Sequence, residues 1–409
     1  MKIKLIKNTT IKTKGGEFKM KFRFLLKQHV GAPCTPVVKV SEEVKRGQKI
    51  AEPKGLGAYI HSSVNGVVQV VNEQEIVIEA EENQSKDYLP IKETDDKLEA
   101  IMEAGIIGAG GAGFPTHIKL KTKIPGGYAI VNAAECEPIL EHNIHYLEKN
   151  ANKIVNGLKY IMEVTEAKYG VIAIKPKHKS AIDELKTAIG NDPIDIKYLK
   201  DLYPAGDERV IIREILGVKL KPGQLPSEAN AIVQNIETVK NIALAIEDRK
   251  PVIDKDVTIG GRVKNAKNGL TFMDVPVGYP VAKLIEAAGG YVKPYGEIVL
   301  GGPFTGKHGE EDAPVTKTLG GILVAMPFPQ DKRKFGILAC ECGAQEERLR
   351  EIVRAMGGEV VAEEKCKRMV EVGSRYRCEL PGVCPGQAQT VMKLKKKGAQ
   401  VILTGSCGD

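Results

Sequence analysis

The sequence contains no tryptophan, and aromatic residues make up only 5% of its 409 positions. Bases are held by stacking on aromatic faces beside a basic groove. Here the net charge of +8 comes from lysines scattered among acids, with no basic helix or RNA-binding signature. No nucleic-acid partner is expected. The short basic clusters at 119–123 and 393–397 read as solvated element ends. Long apolar runs are missing too: no window of about eighteen uncharged residues exists, so no membrane span is expected. Peripheral contact with a membrane stays open. The opening Met1-Lys-Ile-Lys4 lacks the apolar stretch of a secretory signal, which points to a cytoplasmic protein. Histidines are few, and His29, His61 and His117 have no partner at metal-ligand spacing, so they read as structural or surface residues. His142 and His145, beside Glu141, read as a solvated helix face rather than a metal site.

What is present is an ordinary apolar fraction of 42%, abundant charge and 43 glycines. A chain of this length with that balance should form a globular protein of two to four domains. Eight cysteines without a signal peptide point away from structural disulfides and toward metal or thiol redox chemistry. Cys34 and Cys136 read as buried thiols; the six from Cys340 onward are clustered and ask for chemistry.

Residues 1–93 alternate short β patterns with Gly and Asn turns. The phrase from Glu43 to Ala51, followed by Ser63-Val-Asn-Gly-Val-Val68, resembles the barrel-sandwich fold of lipoyl and biotinyl carriers. No Met-Lys-Met tip is present, so the region reads as a scaffold or docking domain without a swinging arm. Residues 94–245 alternate helix and strand patterns, which imply βαβ units and a parallel sheet with ligands at strand carboxyl ends. Residues 250–325 read as a small β-grasp module, and 335–409 as an α/β region containing cysteines. The fold class expected is therefore multidomain α/β.

Within the second region, Gly108-Ala-Gly-Gly-Ala-Gly-Phe-Pro-Thr116 follows a helical pattern. Closely spaced glycines let backbone N–H groups converge on a phosphate or a flat ring. Some twenty residues on, Val131-Asn-Ala-Ala-Glu-Cys-Glu-Pro138 brings an amide and two carboxylates to the end of a strand. The bland readings are a tight helix–strand connection and helix-start carboxylates at Glu135 and Glu137.

Six phrases agree in order with a known family: the glycine loop, Asn132 to Pro138, Tyr203-Pro-Ala-Gly-Asp-Glu208, Pro222-Gly-Gln-Leu-Pro226, Gln234-Asn-Ile-Glu-Thr238 and Gly301-Gly-Pro-Phe-Thr-Gly306. Residues 25–325 resemble RnfC, a component of the Rnf electron-transport complex, and, more distantly, the flavin- and NADH-binding component of respiratory complex I. The resemblance implies an N-terminal barrel-sandwich hybrid, an FMN/NADH-binding α/β domain and a soluble-ligand-binding β-grasp domain. It implies that Gly108, Gly110, Gly111, Gly113 and Lys119 wrap the FMN phosphate. Asn132 and Glu135 would face the ribityl chain and the ring edge, Asn235 would help with the phosphate, and Glu208 would lie near the nicotinamide nucleotide. Glu208, flanked by Asp207 and Arg209, reads equally as a surface acid. Ala109, Ala134 and Asp207 replace charged or longer residues of the complex I pattern, which weakens NADH more than FMN.

The tail departs from RnfC, which carries two Cys-x-x-Cys-x-x-Cys-x-x-x-Cys-Pro runs for [4Fe–4S] clusters. Its cysteines instead resemble the proline reductase-associated electron transfer protein (PrdC type). That implies electron delivery from NADH through FMN to D-proline reductase or another reductase. Three readings of the tail remain. Cys366, Cys378 and Cys384, with Cys340 or Cys342, would ligate an iron–sulfur cluster or zinc. Alternatively Cys340, Cys342 and Cys407 would be the reactive thiols of a disulfide relay. The third is plain structural thiols. The ending Cys407-Gly-Asp409 suggests a frame that continues through a selenocysteine codon. The alternative to an electron-transfer flavoprotein is a non-catalytic carrier or scaffold protein of an Rnf-like complex with a decayed flavin site.

Overall fold

The computed structural model describes residues 2–5, 20–373 and 375–405. Cys407 and the expectation built on the terminus lie outside them. Strand β1 (Lys2–Leu5) is followed by β2 (Lys21–Leu25), β3 (Thr35–Pro36), β4 (Glu43–Val44), β5 (Lys49–Glu52), β6 (Ile60–His61), β7 (Gly66–Val71) and β8 (Glu75–Ala80). Strands β2 to β8 form two antiparallel sheets, ordered β2-β8-β7-β4 and β3-β5-β6. Alternation decides β2: Phe22 and Phe24 point inward between the more exposed Lys21 and Arg23.

The next region contains α1 (Lys97–Glu103), α2 (Thr116–Leu120), β9 (Tyr128–Ala133), α3 (His142–Thr165), β10 (Tyr169–Ile174), α4 (Lys179–Ile189), β11 (Ile194–Tyr198), α5 (Glu208–Leu216), β12 (Ala231–Asn235) and α6 (Ile236–Glu247). Four parallel strands run in the order β11-β10-β9-β12. One face packs against α1, α3, α4 and α6, and the other against α5 and the segment around Leu199 and Ala205. A sheet covered on both sides needs apolar strands throughout, as Val171–Ile174 is. Helix α1 starts where Asp96 caps the amides of Leu98 and Glu99.

Strands β13 (Asp254–Gly261) and β14 (Leu270–Pro276), helix α7 (Val281–Ala287), and strands β15 (Ile298–Leu300), β16 (Lys307–Gly309) and β17 (Gly321–Val324) follow. With β1 they make a mixed six-stranded sheet, β1-β14-β13-β17-β15-β16. Its apolar face and the N-terminal barrel share one buried cluster that runs from Phe22 and Ile78 to Phe272 and Ile322.

The tail comprises β18 (Lys334–Ala339), α8 (Glu346–Ala355), β19 (Glu359–Lys365), β20 (Met369–Val372), β21 (Arg375–Cys378), α9 (Ala388–Lys396) and β22 (Val401–Thr404). Strands β19-β18-β22 are parallel, and β20 and β21 form a hairpin that the sequence pattern did not announce. None of the helices among the described residues is long and apolar enough to cross a membrane.

The two histidines read as a solvated helix face are buried instead. Helix α3 begins at His142, earlier than its apolar period announces, and kinks at Asn150. His142 Nδ1 meets Thr258 Oγ1 at 3.1 Å and His145 Nδ1 meets Thr271 Oγ1 at 3.0 Å, docking α3 on β13 and β14. Burial, with Lys255 and other cations nearby, pushes the His142 imidazole down to about 3, so it is neutral.

Candidate functional site

The glycine loop lies at the carboxyl end of β12, against Asn235 and the first turn of α6. Gly108 N–H bonds Phe114 O at 2.9 Å, closing the loop, and Ala109 N–H donates to the buried Thr238 Oγ1 at 3.0 Å. Gly113 O accepts from Val30 N–H of the barrel at 3.1 Å. The tip Gly110-Gly111-Ala112 is exposed. A Cβ on Gly110 would lie 2.7 Å from Asn235 Nδ2, whereas one on Gly111 would meet nothing within 4 Å. Gly110 is thus small so that the loop can rest on Asn235, while Gly111 borders open space. That open cradle, lined by main chain and bordered by two carboxamides and a lysine, fits a phosphate-bearing flavin.

Asn132 and Asn235 are register partners on adjacent parallel strands. Asn132 Nδ2 donates to Gly206 O at 2.9 Å and its Oδ1 accepts from Ala134 N–H at 3.0 Å. Asn235 caps α6 by accepting from Glu237 N–H at 2.8 Å. The first turn of α6 is anchored further by the buried ion pair Glu237–Lys255, and Glu237 Oε1 accepts from Asp256 N–H at 2.9 Å. Lys240 pairs with the buried Asp256 at 2.7 Å. Asn235 therefore stands on a rigid base.

Lys119 Nζ bonds Glu208 at 2.6 Å and Val233 O at 2.7 Å. This ion pair joins α2 to the start of α5, where Asp207 is the cap. Glu208 is thus ion-paired to Lys119 while remaining exposed. Glu135 follows β9 at φ 28°, a region that L side chains rarely adopt. Its Oε2 accepts from Asn143 Nδ2 at 2.8 Å. Burial pushes its carboxyl up to about 7, against the pull of Asn143, Lys255 and Lys175. Glu137 is spent on architecture: it accepts from Phe304 N–H at 2.8 Å and Thr305 N–H at 3.0 Å, clamping the loop Gly301–Gly306. Cys136 Sγ accepts from Gly206 N–H at 2.6 Å. Cys34, read as a buried thiol, lies 3.1 Å from His29 Nε2.

The nine residues expected at the cofactor site fall on the glycine loop, at or just after the ends of β9 and β12, at the start of α5 and in the last turn of α2. Thr238, Lys255 and Arg209 were not anticipated. Thr238 belongs to a noted phrase, but nothing local marks the other two as partners of residues far along the chain. The tail cysteines separate. Cys340, Cys342 and Cys378 converge, Cys366 accepts from Gln387 Nε2 at 2.9 Å, and Cys384 is exposed. The ligand set Cys366, Cys378 and Cys384 is not assembled: among the described residues no group of three His, Cys, Asp or Glu side chains is arranged to hold a metal ion.

Residues 101–244 match the family described as Nuo51 FMN-binding domain, and residues 4–87 match the RnfC barrel sandwich hybrid domain. The chain is 34% identical, over 319 residues, to the C component of the Na(+)-translocating ferredoxin:NAD(+) oxidoreductase complex of Acetobacterium woodii, covering 72% of this chain and 71% of that one. It is 41% identical over 231 residues to the cobalamin reductase PduS of Salmonella typhimurium, covering 56% of this chain and half (50%) of that relative. A structural likeness to the NAD+-reducing [NiFe]-hydrogenase in the air-oxidized state has 19% identity and a TM-score of 0.47, over 56% of this chain and 46% of that one. The α/β core is thus an FMN-binding domain of the complex I type joined to an RnfC-type barrel. The chain belongs to the RnfC family.

Proposed function

We propose that this chain is an electron-transfer flavoprotein that takes electrons from NADH onto FMN and delivers them to a partner reductase. The observation that carries the reading is the cradle: an exposed glycine tip laid on Asn235, beside Asn132 and the Lys119–Glu208 pair. Amides of the loop and the Lys119 ammonium would hold the phosphate, and Asn132 would orient the ring edge. When bound, the flavin would supply the link between a hydride donor and an acceptor of electrons. Glu135, titrating near neutral pH, is suited to hold or release a proton at its carboxyl oxygen beside the ring. NADH as donor is supported by the names of the relatives in the family, one of which acts on NAD(+). The partner is D-proline reductase on the likeness of the tail cysteines to the PrdC type, and such a complex would work in the cytoplasm.

The test is the visible spectrum of the purified chain reconstituted with FMN. Stoichiometric flavin that bleaches anaerobically on addition of NADH supports the reading. A chain that takes up no FMN would be a scaffold instead, and one that binds FMN but bleaches only with other donors would lose NADH alone. D-proline reductase turnover driven by the reconstituted chain tests the partner.

A further inference from the structure

The cysteines of the tail meet across a distance in sequence that hides them. Cys342 and Cys378 hydrogen-bond to each other, and Cys342 also to Cys340. The geometry around them is fixed by charge. Glu341, between two of the thiols, accepts from the backbone N–H of Cys378. Arg209 of α5 closes the clamp, donating to Cys378 O at 2.7 Å and to Glu341 at 2.9 Å. Arg377 pairs with the other oxygen of Glu341 at 2.8 Å. Behind the pair, Arg213 donates to Pro381 O at 2.9 Å, and Gly382 packs toward Pro204 and Val210 of the flavin domain.

The cluster faces the cradle. Arg209 is the immediate neighbour of Glu208. Tyr203 is stacked edge-on to Phe304 at 4.5 Å; burial raises its hydroxyl, then Glu137, then the nearby Cys136 and Cys342. Gly206, in the same turn, bonds both Asn132 and Cys136. Cys340 and Cys342 are partly exposed, and Cys378 is buried. One buried sulfur beside two partly exposed ones lets exchange enter from outside through the exposed thiols.

We propose that Cys342 and Cys378 are a redox-active pair that closes to a disulfide, with Cys340 as the reachable thiol that passes exchange to a partner. The proposal rests on the flavin reading only for its reductant. Closing breaks two S–H bonds and forms one S–S bond; the two electrons and two protons go to a disulfide of the partner, which becomes a dithiol. Opening runs in reverse: the S–S bond breaks and two S–H bonds form, and the two electrons and two protons would be supplied by a bound, reduced flavin. The hydrogen bond to Cys340 and burial hold the Cys342 thiol up at about 11, so the resting pair is protonated.

The test uses the full chain without flavin, equilibrated in oxidised and reduced dithiothreitol mixtures, quenched by alkylation and read by peptide mass spectrometry. Expected is a Cys342–Cys378 disulfide peptide in the oxidised arm and two alkylated cysteines in the reduced arm. Cys340→Ser should keep that disulfide but slow its exchange with a model disulfide at least tenfold; Cys378→Ser should abolish it. Thiols at 342 and 378 that stay reduced throughout, or pair elsewhere, overturn the proposal, as does iron or zinc retained stoichiometrically by the three sulfurs. Repeating the oxidised arm with FMN and NADH separates the two readings. Absence of flavin binding sinks the functional reading and leaves the pair standing; flavin that bleaches while the disulfide persists sinks the electron link between them.

Discussion

The glycine cradle and the cysteine cluster sit on either side of Tyr203–Arg209, yet they are built in opposite ways. The cradle stands at the ends of a parallel sheet that is packed on both faces, and Asn235 rests on a buried ion-pair network. The cluster hangs from a three-stranded sheet whose buried apolar residues, among them Leu338, Ala362, Leu394 and Ala399 together with Phe335, Ile337, Leu349 and Val353, are far fewer than those around the parallel sheet of the cradle. It is held to the rest by arginine side chains and backbone acceptors. A rigid frame suits orientation of a planar cofactor, while a charge clamp keeps the thiols together on a small sheet without a large core. The division of labour lies in packing as well as residue type.

Four changes should break or sharpen that contrast. The largest is Glu237→Ala, which leaves Lys255 buried without its partner and Asp256 N–H without its acceptor. Breaking such a pair costs about 3–5 kcal/mol, and urea unfolding should register it on the flavin domain with the tail unchanged. Next, Arg209→Ala removes the clamp between α5, Glu341 and Cys378. We expect faster amide exchange confined to residues 375–382, equivalent to about 2 kcal/mol of local opening; unchanged exchange there would mean the tail docks by other contacts.

Third, Gly110→Ala drives a methyl group onto Asn235, with a Cβ 2.7 Å from its Nδ2. FMN affinity should fall roughly tenfold, about 1.4 kcal/mol, in an equilibrium titration, while the melting temperature barely moves. The fourth change concerns pH. The folded Glu135 carboxyl keeps its proton up to about 7, whereas the unfolded one loses it near 4.5. Between those values the native state binds more protons, so stability falls as pH rises through the window and is flat above it. Glu135→Gln cannot ionise and should remove that slope, gaining at most about 2 kcal/mol at pH 8 relative to pH 4 because the side chain keeps some solvent.

Local signals carried much of the frame. Asp96 marks the start of α1, the period-two pattern of Lys21–Leu25 marks an edge of the barrel, and the apolar run Tyr169–Ile174 marks a strand buried on both faces. The phrases around Asn132 and Asn235 marked strand ends that the parallel register then brings side by side. What escaped reading depends on distant partners. His142 and His145 look polar along the chain, but Thr258 and Thr271 lie across the fold to receive them. Glu137 looked like a ligand-binding acid, yet its oxygens are satisfied by a loop more than a hundred and sixty positions away. Cys378 stood apart from Cys342 in spacing, and Arg209, Arg377 and Glu341 help to join them. No pattern in the chain encodes a clamp whose members come from separate domains.

Hydrogen exchange of the full chain, with and without saturating FMN, tests the cradle most directly. Bound flavin should slow exchange at residues 109–113, at 132–136 and at 235–238, with the barrel strands unaffected. Protection that falls elsewhere, or none at the glycine tip, would contradict a flavin held there.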